Sequence, residues 1–158
     1  MNLKNYKVDE LWQLYSDVYK QLQEEGEISS KNVTGERGEK LAVSTYIKTP
    51  NLPRLLLAPP STKNIDAISD KGERYTIKTI TYPNKTTGVF RGHGKPDSPN
   101  LIKNFEYLII VVLEDYLPKN IYELTFDQFN EFKKWHSTMG AYNISLTSDV
   151  VNAAKKIL

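Results

Sequence analysis

The chain has no cysteine in its 158 residues. This excludes disulfides, zinc–thiolate centres, iron–sulfur clusters and a cysteine nucleophile, and it is compatible with the cytoplasm, the compartment expected. No apolar run approaches the length that crosses a bilayer, and MNLKNYKVDE at the start has no apolar stretch of the kind a signal peptide carries. No membrane partner is therefore expected. Net charge is also small, +2, so the whole-molecule field does not point to nucleic acid. Internal repeats and low-complexity segments are missing. What remains is ordinary for a folded protein: 39% hydrophobic and 25% charged residues, at a length that suits one domain spanning 1–158.

The most informative stretch is 64–81, NIDAISDKGERYTIKTIT. Apolar Ile65, Ala67 and Ile68 surround Asp66, Asp70-Lys71-Gly72 supplies turn chemistry, and 74–81 alternates in the manner of a strand. Side chains on a strand alternate between faces, which puts Thr76 and Lys78 on one face and Ile77 on the other. An acid and a lysine facing each other across a hairpin are the least that a metal-dependent phosphodiesterase needs: a carboxylate for a divalent ion, and an ammonium for the water or the charge developing on phosphate. On spacing alone, an exposed cross-strand ion pair is the simpler reading. The basic residues nearby bear on this, since Lys71, Arg74, Lys78, Lys85, Arg91 and Lys95 face a single acid, Glu73, between 71 and 95. Such a segment either contacts phosphates or is a solvated loop.

Helical spacing of Leu11, Leu14, Tyr15, Val18 and Leu22 predicts an amphipathic helix over 8–25, widened by Trp12 and Tyr19 to a stripe that suits a core or a subunit interface. A second helix is expected over 35–48, with Glu36 and Glu39 in its first turn, where carboxylates favour the helix dipole. Glu39 shares the face of Ala42, Val43 and Tyr46 and so is placed toward the sheet. Residues 52–58 read as a first strand. Residues 82–104 show no periodicity, and a loop of that length is functional or mobile. FEYLIIVVL, at 105–113, reads as a central strand buried on both faces, with 120–124 as its partner. Thr125 caps a helix expected to reach about Trp135, residues 136–146 read as irregular, and 148–158 as a terminal helix. The order predicts an α/β or α+β fold, a mixed central sheet flanked by helices.

At Asp66, Gly72, Tyr75 and Lys78 the chain resembles the PD-(D/E)XK nuclease superfamily, and within it the PvuII-type restriction endonucleases. NIDAISDKGERYTIKTI has that family's Asp-Ala pair, glycine turn, tyrosine and terminal lysine. GERGEKLAV resembles the start of its active-site helix, KTTGVFRGHG its base-reading loop, IYELTFDQFNEFKKWH its late strand and helix, and DELWQLYSDVYKQLQ its dimerisation helix. The similarity is collinear from about Asp9 to His136.

The resemblance implies a restriction-endonuclease-like domain, a homodimer, double-stranded DNA as substrate, and Mg²⁺ as cofactor with Mn²⁺ as substitute. It assigns metal binding to Asp66, orientation of the attacking water to Lys78, an acidic role near the scissile phosphate to Glu36, and base reading to His93. Lys85, Arg91 and Lys95 are the expected phosphate contacts. Two departures stand out. The family's second acid is Thr76 here, a neutral and weak ligand. The metal shell would then comprise Asp66, Thr76 directly or through water, the Ile77 carbonyl, and Glu36 or Glu39. The family's histidine cluster is reduced to His93. Three readings follow: a type II site-specific endonuclease, a DNA-binding protein silenced at Thr76, or an interaction module in which Asp66 and Lys78 simply pair.

Overall fold

A computed structural model describes residues 1–98 and 102–158. After a 3₁₀ turn at Leu3–Asn5, two helices come first, α1 (Val8–Glu24) and α2 (Val33–Lys48). The strands β1 (Leu55–Leu57), β2 (Ala67–Ser69), β3 (Arg74–Thr81), β4 (Tyr107–Glu114) and β5 (Leu117–Thr125) follow. Then come α3 (Phe126–Phe132), β6 (Lys134–His136), β7 (Ala141–Asn143), α4 (Ser148–Ala153) and β8 (Lys155–Lys156). Six strands form one sheet in the order β1-β2-β3-β4-β5-β8, and β6 pairs with β7 separately. Within the large sheet only β3 and β4 run parallel. The fold is thus α+β with a mostly antiparallel mixed sheet. No helix among the described residues is long and apolar enough to cross a membrane.

β4 is the centre, as its composition predicts: Leu108 to Leu113 are all buried. Alternation sends Leu108 and Ile110 into one core and Ile109, Val111 and Leu113 into another. The second core lies under α2, with Ala42, Tyr46, Tyr75 and Ile77. α2 crosses β3 at Gly38, where an added Cβ would lie 1.9 Å from Thr79 Oγ1. The first core lies on the opposite face beneath α3, α4 and the long connection, with Phe90, Phe105, Phe126, Phe129 and Tyr142.

The long connection has a topological cause. A parallel pair cannot be joined by a tight turn, and between β3 and β4 a loop takes the place of a crossover helix. It is stitched to the chain around β7: Phe90 N–H donates to the Tyr142 carbonyl at 2.7 Å, Thr87 N–H to Ile144 at 2.9 Å and Leu146 N–H to Lys85 at 2.8 Å.

Several expectations are corrected. The first strand of the 64–81 hairpin begins only at Ala67, leaving Asp66 at a bend. The helix expected to reach Trp135 stops at Phe132, because Lys133 is extended and 134–136 pair with 141–143, placing Trp135 against Tyr142 with ring centroids 5.0 Å apart. Residues 136–146 are therefore partly strand. The terminal helix ends at Ala153, and β8 extends the sheet edge beside β5.

One ion pair anchors the entry to β3. Glu106 accepts from Arg74 Nη2 at 2.6 Å, from Nε at 3.0 Å and from the Arg74 backbone N–H at 2.7 Å. The Arg74 hydrogen bonds hold the Glu106 carboxyl at about 2. Because its folded value is depressed, the stabilisation is present above the ordinary glutamate range and is lost as pH falls toward 2. Glu106→Gln is expected to cost about 1 kcal/mol at neutral pH, reduced from the full linkage value because the pair is partly solvated. The difference from wild type should shrink as denaturation is repeated at lower pH; a pH-independent difference would assign the loss to packing.

Candidate active site

Past the pairs Ala67–Tyr75 and Ile68–Arg74, β2 parts from β3, and the outer edge of β3 is open from Thr76 onward. Asp66 sits at this fork and closes it. Its Oδ2 accepts the Ile77 N–H at 2.6 Å and the Thr76 hydroxyl at 3.1 Å. In an extended strand the N–H and C=O of one residue point the same way, so the Ile77 carbonyl is also directed to this open edge.

A polar pocket of about 240 Å³ lies there, lined by Asn64, Asp66, Thr76, Lys78, Arg91 and His93 over the aromatic floor of Phe90 and Phe105. Thr76 and Lys78 reach it because they share one face of β3, while Ile77 packs into the core under α2. Lys78 Nζ lies 5.1 Å from the Phe90 ring centroid, and among the described residues it forms no ion pair with Asp66. The simple cross-strand pair is therefore not the arrangement present. Gly92 brings the loop to the pocket: its φ is +80°, and an added Cβ would stand 3.1 Å from Asn64 Nδ2.

The acids of α2 have different fates. Glu36 does not line the pocket. Its carboxylate accepts from the Ser29 N–H at 2.6 Å, the Ser29 hydroxyl at 3.0 Å, the Ser30 N–H at 2.8 Å and the Ser30 hydroxyl. These bonds, led by the Ser30 hydroxyl, hold its pKa below the usual range. The residue clasps the preceding loop to the helix start. Glu39 lies one turn further along the helix, half-buried. Burial raises its pKa, and the neighbouring Asp66 and Glu36 charges add to the rise, against an opposing pull from Lys78. Glu39 does not itself line the pocket, but the Asp66 charge reaches it. Glu73 is occupied at the hairpin by the Ser69 hydroxyl at 3.0 Å.

The loop residues also separate. His93 is buried at 4% exposure, with its ring against Phe105 and Phe129. Its Nδ1 donates to the Ile102 carbonyl at 3.1 Å, so Nε2 is the unprotonated nitrogen of the neutral ring, the state favoured by burial, which lowers its pKa. An imidazole so enclosed forms a wall of the pocket. Arg91 is exposed at the mouth and donates to the Met139 carbonyl at 3.1 Å. Lys95 lines an adjoining pocket. Lys85 is apart from both, beside Ser145–Asn152.

A magnesium site needs only one or two carboxylates, the rest of its shell being water and phosphate oxygens. Asp66, at the pocket, and the Ile77 carbonyl, directed to the same open edge, fit that requirement, with Glu39 as the nearest further carboxylate that the Asp66 charge reaches. Among the described residues there is no group of three metal-ligating side chains, and Thr76 supplies no charge. The residues that sequence reasoning missed are Asn64 and the aromatic floor. Asn64 has a positive φ of 61°, which a dipeptide reading could not reveal.

No protein-family model matches the chain, and no curated protein matches it.

Proposed function

We propose that this chain is a Mg²⁺-dependent endonuclease of the type II restriction kind, hydrolysing phosphodiester bonds in double-stranded DNA as a homodimer. The observation that carries the reading is the convergence of Asp66, Thr76, Lys78 and Arg91 on one polar pocket at the open edge of β3. Asp66, Glu39 and the Ile77 carbonyl would hold the cation, which supplies charge neutralisation at phosphate and a more acidic water. Lys78, held over Phe90 and in no ion pair among the described residues, orients that water and offsets charge developing on the phosphate. Arg91 at the mouth meets the flanking backbone. Thr76 spends its hydroxyl on Asp66, which favours a slow enzyme, or in the second reading a DNA-binding protein that has lost cleavage.

The dimer is supported by α1. None of its side chains is buried, and Trp12, Tyr15, Val18 and Leu22 stand exposed. Two-strand cleavage by one site per chain also calls for two-fold symmetry.

The test is supercoiled plasmid incubated with the protein in Mg²⁺, Mn²⁺ or EDTA, alongside a solution mass. Cleavage is expected with metal and not with EDTA, faster in Mn²⁺, from a species of twice the chain mass. Tight duplex binding without cleavage in either metal would select the silent DNA-binding reading, and no binding at all would reject both.

A further inference from the structure

The active-site pocket does not end at His93. The same ring lines a second pocket of about 330 Å³, whose other walls include Lys95, Asn130, Lys133 and Tyr142. Lys133 is placed there by the early end of α3: as the C-cap it turns extended and swings back over the aromatic floor. Its Nζ lies 4.4 Å from the Tyr142 ring centroid and 5.8 Å from that of Phe129. It is half-buried, and burial lowers its pKa. No carboxylate pairs with it, or with Lys95, among the described residues.

An ammonium withdrawn from water normally acquires a carboxylate. Here aromatic faces support it instead, as Phe90 supports Lys78. The same buried imidazole, His93, lines both pockets, with Lys78 in one and Lys133 in the other. The arrangement is two anion-seeking lysines flanking one shared wall, with an amide donor, Asn130, beside the second.

We propose that the Lys95–Asn130–Lys133 pocket binds a backbone phosphate of the same DNA strand whose scissile phosphate occupies the Asp66–Lys78 pocket. This rests on the nuclease reading and adds to it a positioning subsite that holds the strand in register. The subsite carries no base specificity, because a phosphate contact reports no sequence.

The experiment is the salt dependence of binding to a mixed-sequence duplex in EDTA, for wild type, Lys133→Gln, Lys133→Arg and Lys134→Gln. One lost phosphate contact should reduce the slope of log K against log salt by about 0.9, which is about threefold less affinity lost between 50 and 200 mM salt. Lys133→Gln should show this reduction, Lys133→Arg should restore the slope, and Lys134→Gln, which does not line the pocket, should leave it near wild type. Should Lys133→Gln fold poorly by thermal melting, Lys95→Gln, on the exposed opposite wall, serves in its place with the same expected change. An unchanged slope in Lys133→Gln or its substitute, in a protein that binds and cuts DNA, would overturn the subsite and leave the nuclease standing. An equal reduction in Lys134→Gln would also overturn it, by assigning the effect to general charge. Failure of the wild-type chain to bind duplex at all removes the nuclease reading and the subsite with it.

Discussion

Thr76→Glu is expected to raise Mg²⁺ affinity and DNA cleavage together, by about tenfold or more, each factor of ten being about 1.4 kcal/mol. Thr76 is 5% exposed on the same strand face as Lys78, with its hydroxyl 3.1 Å from Asp66. A glutamate there would add a charged oxygen ligand where the site now offers a neutral one. It would also stand beside Asp66, and two carboxylates in one pocket repel each other. The variant should therefore melt lower than wild type in EDTA and recover in Mn²⁺, since a ligand that binds only the folded state stabilises it. Metal-dependent melting and a cleavage time course read the two effects separately. If neither affinity nor rate rises, Glu39 already fills the missing position. Anomalous scattering from Mn²⁺-soaked crystals would then place the ion against Glu39 and Asp66, and an ion found elsewhere would reject this centre.

Asp66 is expected to be essential, but the variant used to show it matters. Its carboxylate does two jobs: it faces the pocket, and it accepts the Ile77 N–H at 2.6 Å, closing the fork where β2 leaves β3. Asp66→Ala removes both and orphans a backbone donor on a buried residue, at a cost of about 1–3 kcal/mol in stability. Asp66→Asn keeps an acceptor while removing the charge. Both should lose cleavage by about a hundredfold or more, the scale of a charge-stabilising group in a catalytic site, but only the alanine should melt substantially lower. Lys78→Ala should match the asparagine variant in rate, with a small stability change, because Lys78 rests on Phe90 and forms no ion pair among the described residues. Retained cleavage in Asp66→Asn would detach the activity from this pocket.

The elements that a local pattern can encode were legible in the chain. The stripe of α1, the apolar run of β4, the capping Thr125 and the alternation of β3 each depend on residues within a few positions of one another. So does the shared face of Thr76 and Lys78, because the strand period decides it. That Asp66 belongs with them also followed from its spacing within one hairpin. The helix expected to run to Trp135 shows the limit: its pattern continues past Phe132, but pairing of 134–136 with 141–143 competes for the same residues and prevails.

The fates of individual side chains were decided only by the tertiary fold. The helical period already turned Glu39 toward the sheet, but it could not show that Ser29 and Ser30 fold back to take Glu36. His93 stands in a glycine-rich, polar stretch that reads as solvent-exposed. It is buried because the parallel β3–β4 crossover drapes that stretch over the aromatic core of α3. Lys133 becomes a pocket wall because the helix stops at Phe132 rather than running on to Trp135. Sequence separation is the physical reason in each case. Periodicity reports which way a side chain points from its own backbone, whereas the group it meets is supplied by a segment brought near only when the whole chain has closed.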